Sequence, residues 1–132
     1  MDAEYYALDS TEGGKFEPFQ PALTLLTTVV SGHHEGFMTV DAGLKAVYRD
    51  GPPPTPISGK EWRYEWFGDE YGKLVFPADN DSGQNACLKV GDTVEMIVSH
   101  CDPTVNLFDC FFVVRDEVVI EVWPIDARGK CA

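Results

Sequence analysis

Short apolar runs and alternating apolar and polar positions dominate the chain, and helical spacing is not sustained over ten residues. The run PALTLLTTVVS at 21–31 is rich in Thr and Val, whose β-branched side chains favour strands. Residues 61–67 alternate charged and aromatic side chains, which predicts a strand with its aromatic residues on one face. Residues 93–99, TVEMIVS, predict another strand that leads directly into His100.

Shorter segments between these runs predict further strands. Residues 37–40 and 73–76 are each long enough for a short strand. Turn chemistry at Asp41-Ala42-Gly43 follows the first of them, and we expect the strand to resume over 45–49. Residues 88–92 predict a strand entry followed by a turn.

The segment CFFVVRDEVVIEVW at 110–123 predicts a β-hairpin, since two β-branched runs flank Arg115-Asp116-Glu117. The Asp-Glu pair is a poor match to the Asn-Gly or Asp-Gly that two-residue turns prefer. A longer loop or a bulge is therefore an alternative to a two-residue turn. Four prolines within 51–59 exclude a helix or a central strand and predict an exposed loop. Further polar loops are predicted at 9–20 and 79–85.

Strands at short spacing with Gly and Pro between them indicate an all-β fold, either an antiparallel barrel or a sandwich. The length of 132 residues favours a single domain spanning 1–132, with 1–20 as a lead-in. The 22 acidic and 10 basic residues give a net charge of −12. Because such a chain repels phosphate groups and anionic lipids, we expect neither a nucleic-acid nor a membrane partner.

The cysteines and the N-terminus indicate the cellular compartment of the protein. None of the four cysteines forms a CxxC pair, so a cysteine-rich zinc framework is excluded. The acidic start MDAEYYALDS lacks the parts of a signal peptide, and every apolar run is shorter than the ~18 residues of a membrane span. We therefore expect a cytoplasmic protein with reduced thiols.

The candidate chemistry lies in His100-Cys101-Asp102, just before Pro103. We expect the strand to run through this triplet and to end at Pro103, so alternation places His100 and Asp102 on one face and Cys101 on the other. An imidazole and a carboxylate make an incomplete metal site that leaves positions for water and substrate, and they favour Mg, Mn, Co or Ca, with zinc also compatible. By local chemistry alone, a surface histidine beside a turn or capping aspartate is the commoner meaning of this triplet.

Other candidates have simpler structural interpretations. His33-His34, near Glu35, is expected in a solvated loop, because adjacent side chains rarely converge on one ion. Asp41 and Lys45 flank a turn, for which we expect a positive φ at Gly43 and stabilisation by the aspartate.

Two further residue types have competing interpretations. Strand alternation separates the Cys101 side chain from those of His100 and Asp102, which argues against Cys101 as a nucleophile activated by the histidine. Core or edge packing is the simplest role for the three tryptophans, the alternative being a surface meant for another domain. These are Trp62, Trp66 and Trp123.

Several motifs taken together resemble one known family. The segments SHCDPTVNLFD and FFVVRDEVVIEVWPIDARG, with PALTLLTTVVS and TVDAGLKAV upstream, resemble the C-terminal β-domain of D-threonine aldolases and D-serine dehydratases. These are fold-type III pyridoxal-phosphate enzymes. The segment 68–72 also resembles the family, although Tyr71 stands where the family usually has a histidine. The resemblance covers roughly 2–129.

The resemblance implies an antiparallel barrel or sandwich like the C-terminal domain of alanine racemase-type enzymes. It implies that His100 and Asp102 bind a divalent metal (Mg, Mn, Co or Zn) that holds a substrate β-hydroxyl. Pyridoxal phosphate would come only through a barrel domain of ~250 residues that this chain does not contain, so Lys45 is not expected to be the Schiff-base lysine.

Two functions therefore stand side by side. One is the metal-binding domain of a lyase for β-hydroxy D-amino acids, not catalytic alone, whose partner is a pyridoxal-phosphate barrel or a second copy of the chain. The other is a stand-alone, non-catalytic β-barrel that binds an unidentified ligand. Whether the chain is part of an enzyme is left open at this point.

Overall fold

The computed structural model describes residues 21–58, 61–77 and 88–130, which form strands and one short helix. The predicted lead-in at 1–20 and the polar loop predicted at 79–85 therefore lie outside the described residues, and the single-domain span of 1–132 stays a prediction. The elements are β1 (Thr24–His34), β2 (Phe37–Val40), β3 (Thr55–Pro56), β4 (Arg63–Trp66), β5 (Gly72–Val75), β6 (Thr93–Ile97), α1 (Cys101–Val105), β7 (Cys110–Arg115) and β8 (Val118–Pro124).

Six strands form one antiparallel sheet in the order β3-β6-β1-β2-β5-β4. The two edge strands, β3 and β4, lie beside each other, so the sheet curls into a nearly closed barrel. Closure hides most of the unpaired backbone groups that an open sheet would expose at its edges. The all-β prediction is confirmed, and the barrel alternative is the correct one.

Strand β1 belongs to both halves of the barrel. Its first part pairs with β6 over Thr24–Thr28, and its second part pairs irregularly with β2 from Val29 onward. At the change of partner, the Asp41 carboxylate accepts hydrogen bonds from the Thr27 hydroxyl (2.6 Å) and the Thr28 backbone N–H (2.7 Å). Asp41 therefore satisfies the backbone where the strand changes partner, a structural role that differs from the predicted stabilisation of the turn at 41–43.

Alternation along the strands fills the barrel interior with apolar side chains. The aromatic residues of the β4 region face inward, as predicted: Tyr64 is fully buried, while Trp62 and Trp66 pack partly buried against the core. The Tyr64 ring meets Trp66 edge-on, with 5.4 Å between ring centroids. The other fully buried side chains of the core include Val29, Val40, Val47, Leu74, Val94 and Met96.

Three local predictions fail. Residues 45–49 do not resume a strand, because the backbone turns at Gly43, whose carbonyl accepts from the N–H groups of Ala46 and Val47. Residues 88–92 form the predicted turn, but Leu88 and Lys89 at its start are not in a strand. The proline segment does contribute β3, as an edge strand, and Pro54 and Pro56 are buried rather than exposed. An edge strand tolerates proline because one side of its backbone needs no sheet partner.

Strands β7 and β8 form a separate antiparallel hairpin. Asp116 and Glu117 have positive φ values of 50° and 63°, so the strands are joined by a tight two-residue turn of the primed kind and not by a longer loop. The alternative of a bulge is confirmed, since the register shifts between Val113 and Val114. In the described part of the chain, no helix is long and apolar enough to cross a membrane.

Candidate metal site

The predicted ligands His100 and Asp102 lie where β6 gives way to α1. Strand β6 ends at Ile97, and His100 keeps an extended backbone (φ −147°, ψ 126°) immediately before the helix that starts at Cys101. The prediction that the strand runs through Asp102 is therefore wrong, and strand alternation does not place the two side chains. Pro103 is compatible with the helix because N–H groups of the first turn have no partner within it, and Asp102 there is favoured by the helix dipole.

The side chains of this segment have different surroundings. Cys101 packs partly buried against the hydrophobic core, whereas Asp102 is exposed. The expected separation between the thiol and the carboxylate stays a prediction, since strand alternation does not apply within a helix. The His100 side chain is 31% exposed, so one side of the imidazole remains accessible.

Asp50 is a neighbour of His100 that sequence reasoning missed. Its Oδ2 lies 3.4 Å from His100 Nδ1, a long hydrogen bond that leaves Nε2 unused by this contact. Two anchors bring the segments together: the Ser99 hydroxyl donates to the Tyr48 carbonyl (2.7 Å), and the Tyr48 N–H donates to the Thr104 hydroxyl (3.4 Å). Ser99 and Thr104 are both buried, so the contact between the two segments is well defined.

The turn around Gly43 packs directly on the segment 68–72. The N–H groups of Leu44 and Lys45 donate to the carbonyls of Gly68 (3.2 Å) and Asp69 (3.0 Å). A Cβ atom at Gly43 would lie 2.4 Å from backbone atoms of this segment. The predicted positive φ at Gly43 is wrong, since the left-handed glycines among the described residues are others; close backbone approach is what requires glycine there.

Lys45 forms an exposed ion pair with Glu70. The hydrogen bond to Glu70 and its negative charge raise the pKa of Lys45 above its ordinary value. A protonated, ion-paired ammonium is a poor nucleophile, because Schiff-base chemistry needs the neutral amine. Lys45 is therefore a surface residue that helps fix the turn to segment 68–72.

The other candidates lie apart from this site. His33 and His34 end β1 instead of lying in a loop, although both are exposed as expected, and His34 stacks on Phe37 with 4.5 Å between ring centroids. Trp62 and Trp66 pack on the core, while Trp123 is 52% exposed. Core packing therefore explains two of the three tryptophans, and the alternative of a surface for another polypeptide applies to Trp123.

The side-chain types of His100 and Asp102 suit a divalent cation held by few protein ligands. Among the described residues, no group of three or more His, Cys, Asp or Glu side chains could hold an ion by itself. An imidazole with a carboxylate suits borderline and hard divalent metals when water or substrate completes the coordination. In metal sites the histidine nitrogen that does not bind the ion commonly contacts a carboxylate, as His100 Nδ1 does with Asp50.

Fold and site together define an antiparallel β-barrel domain with a histidine and an aspartate just after its sixth strand. A family model described as "Putative serine dehydratase domain" matches residues 22–114. The chain belongs to this family. The 3-hydroxy-D-aspartate aldolase of Paracoccus denitrificans is 35% identical over 132 residues, which cover 98% of this chain and 32% of that protein.

Solved structures agree with the family assignment. The crystal structure of D-threonine aldolase from Filomicrobium marinum superposes with a TM-score of 0.82 at 34% identity, covering 100% of this chain and 34% of that chain. D-threo-3-hydroxyaspartate dehydratase from Delftia sp. HT23 shares the fold, with a TM-score of 0.63 at 20% identity over 78% of this chain and 31% of that one. The chain thus spans about a third of the length of these proteins.

A relative of similar length also exists. An uncharacterized protein of Mycobacterium tuberculosis is 30% identical over 128 residues, which cover 90% of this chain and 92% of that protein. This family therefore includes a protein that consists almost entirely of the matching domain.

Proposed function

We propose that this chain is the metal-binding domain of a lyase that acts on β-hydroxy D-amino acids, with His100 and Asp102 as metal ligands. The observation that carries the proposal is the family match over residues 22–114, which includes both residues. The 35% identity to 3-hydroxy-D-aspartate aldolase over 98% of the chain supports the substrate class. A cytoplasmic location stays a prediction from the sequence.

The spacing of the two ligands has a parallel in a relative of the same fold. Solved structures of D-threo-3-hydroxyaspartate dehydratase include a metal-free form of a cysteine-to-alanine variant and a variant with a histidine replaced two positions earlier. His100 and Asp102 have the same spacing of two residues. This agreement supports a histidine with a second donor two residues later, and the carboxylate of Asp102 would take the place of a thiolate.

When bound, the metal would supply Lewis-acid polarisation of the substrate's β-hydroxyl. His100 would bind it through Nε2, since Nδ1 contacts Asp50, and the exposed Asp102 would supply one carboxylate oxygen. Asp50 is a positioning residue in this proposal, because it limits rotation of the imidazole. Two protein ligands leave the remaining positions to water, substrate or another polypeptide.

Catalysis would need a second polypeptide or domain that brings pyridoxal phosphate. The relatives with aldolase activity are about three times as long as this chain, and Lys45 is held in an ion pair at the surface. A cofactor enzyme must orient the reactive atom of the cofactor against substrate. We therefore infer that the chain alone does not turn over D-threonine or 3-hydroxy-D-aspartate.

The second candidate is a stand-alone, non-catalytic β-barrel that binds a ligand. The mycobacterial relative favours it, since the matching domain makes up 92% of that protein. The two candidates differ in one measurable property, which is whether a partner carrying pyridoxal phosphate restores lyase activity to the chain.

Metal binding is the first test. Purified chain would be titrated calorimetrically with Mn²⁺, Co²⁺ and Zn²⁺ beside His100→Ala, Asp102→Ala and Asp50→Ala. We expect either ligand substitution to abolish binding and Asp50→Ala to weaken it about tenfold or more, as loss of a residue that supports a ligand does. The matched control is His33→Ala, an exposed histidine outside the site. Unchanged affinity after loss of His100 or Asp102 would contradict the ligand assignment.

Activity is the second test. The chain would be mixed with pyridoxal phosphate, Mn²⁺ and D-threonine, with and without the remaining two-thirds of D-threonine aldolase from Filomicrobium marinum, the part that this chain does not match. Cleavage that needs both polypeptides and is lost in His100→Ala favours the lyase domain. Metal binding without cleavage in any mixture favours the stand-alone module, and turnover by the chain alone contradicts the proposed need for a partner.

A further inference from the structure

One face of the β7–β8 hairpin is apolar and open to solvent. Cross-strand partners share a face, so Phe112 and Val122 lie together and Val114 lies with Val119. We call these four residues the docking face. Each is more than half exposed, from 64% at Phe112 to 52% at Val119, and the face carries no charged side chain.

The opposite face of the hairpin is better covered only on its β7 side, since Trp123 on β8 is 52% exposed. Phe111 and Val113 there are partly buried, and the base of the hairpin is tied by the Ile125 N–H, which donates to the Asp109 carbonyl (2.9 Å). In the described part of the chain, β7 and β8 pair with each other and with no other strand. An isolated two-stranded hairpin is marginally stable in water, so packing on the docking face would add needed stability.

The hairpin sequence also points to burial on both faces. Strands with one face in water alternate apolar and polar residues, whereas strands buried on both faces are continuous apolar runs. Residues 110–114, CFFVV, and 118–120, VVI, are such runs. The sequence therefore favours a cover for the docking face that the described strands of the barrel do not provide.

We propose that the docking face binds the same face of a second copy of this chain. Two hairpins would stack face to face about a two-fold axis, which is a closed, isologous contact. The four side chains expose on the order of 400 Å² per copy, which is the size of patch that marks interaction sites. Two such patches would bury about 800 Å², which is below the ~1,000 Å² of a stable specific interface, so a weak dimer is expected.

The mycobacterial relative favours a second copy as the occupant. That protein is almost entirely the matching domain, so nothing in its own chain corresponds to the remaining two-thirds of the aldolases. Charge also makes a distinctive prediction. Each copy carries a net charge of −12, while the docking face is neutral, so salt should strengthen the dimer by screening repulsion between the copies.

The test is sedimentation velocity over a range of about 1 to 200 µM, where a reversible dimer is concentration-dependent. The variant is Phe112→Thr with Val122→Thr, because threonine keeps the β-branched shape that strands favour. The matched control is Leu26→Thr on β1, an equally exposed apolar position of the barrel. Trp123, on the opposite face of the hairpin, reports by its fluorescence that the hairpin is intact in each variant.

We expect a dimer whose dissociation constant rises at least about tenfold in the double variant and is unchanged in Leu26→Thr, and which tightens as salt rises. A monomer at every concentration would overturn the proposal. An open-ended series of oligomers would also overturn it. The same holds if the double variant keeps an intact hairpin and dimerises normally, or if Leu26→Thr weakens the dimer equally. The inference does not rest on the proposed function, since the variants leave His100 and Asp102 unchanged and metal titration judges that site separately.

Discussion

Replacing Gly43 with alanine should destabilise the barrel strongly. An added Cβ would lie 2.4 Å from both the Asp69 carbonyl oxygen and the Tyr71 nitrogen, closer than such atoms approach in proteins. Both contacts are backbone atoms, so no flexible side chain can rotate away. The segment 68–72 would have to move off the turn. Alanine itself is compatible with the local backbone, because Gly43 is not among the glycines with positive φ.

The magnitude follows from the contacts that would be lost. Moving the segment breaks the hydrogen bonds from Leu44 to Gly68 and from Lys45 to Asp69, each worth about 1 kcal/mol net. Overpacking of a tight contact adds about 1–3 kcal/mol. The restriction that alanine places on the unfolded chain offsets about 0.4–1 kcal/mol of this. The free energy of unfolding should therefore fall by about 2–5 kcal/mol.

Urea unfolding followed by tryptophan fluorescence measures this change. Gly32→Ala is the matched control, because its Cβ would meet Met38 Cε at 3.5 Å, an ordinary contact. We expect that variant to stay within about 0.5 kcal/mol of the parent or to gain slightly. If Gly43→Ala is as stable as Gly32→Ala, the close packing of the turn on segment 68–72 does not exist.

Two further changes test other parts of the structure. Tyr64→Phe removes the buried hydrogen bond to the Ala42 carbonyl (2.6 Å) and should cost about 1–2 kcal/mol in urea unfolding at neutral pH. Burial raises the pKa of Tyr64 above its unfolded value of about 10, so the stability that the neutral phenol contributes is fully present below about pH 10 and is lost as pH rises further. The loss of stability at alkaline pH should therefore be shallower in Tyr64→Phe. An unchanged pH profile in that variant would contradict this reasoning. Glu117→Gly relieves a positive φ of 63° and should stabilise the hairpin by about 1 kcal/mol, measurable as slower amide exchange in β7 and β8. Faster exchange in that variant would rule out strain at the turn.

Local patterns were enough to predict most strands. β-Branched runs located β1, β6 and the hairpin, and alternation located the inward aromatic face of β4, because each strand buries one face against the barrel interior. The partner change within β1 could not be predicted in this way. It depends on which distant segments meet, and the side chain of Asp41 that supports it looks like an ordinary turn residue in the sequence.

The candidate site was predictable in its residues but not in its geometry. His100 and Asp102 came from a resemblance, yet the helix that carries Asp102 was missed although Asp-Pro in a first turn is a recognised helix start. Asp50 lies 50 residues from His100 and meets it through the contacts of Ser99 and Tyr48. No spacing rule links residues so far apart, so only the tertiary structure identifies Asp50.

The double membership of β1 has a consequence for how the protein is made. Residues Thr24 and Glu95, which join β1 to β6, are 71 positions apart, so half of the pairing of an early strand depends on a late one. Long-range pairing of this kind folds slowly, since chain closure must precede its stabilising contacts. During synthesis one edge of β1 would therefore stay unpaired until Ile97, the last residue of β6, has emerged from the ribosome. A chain released before that residue would lack part of a strand of its barrel.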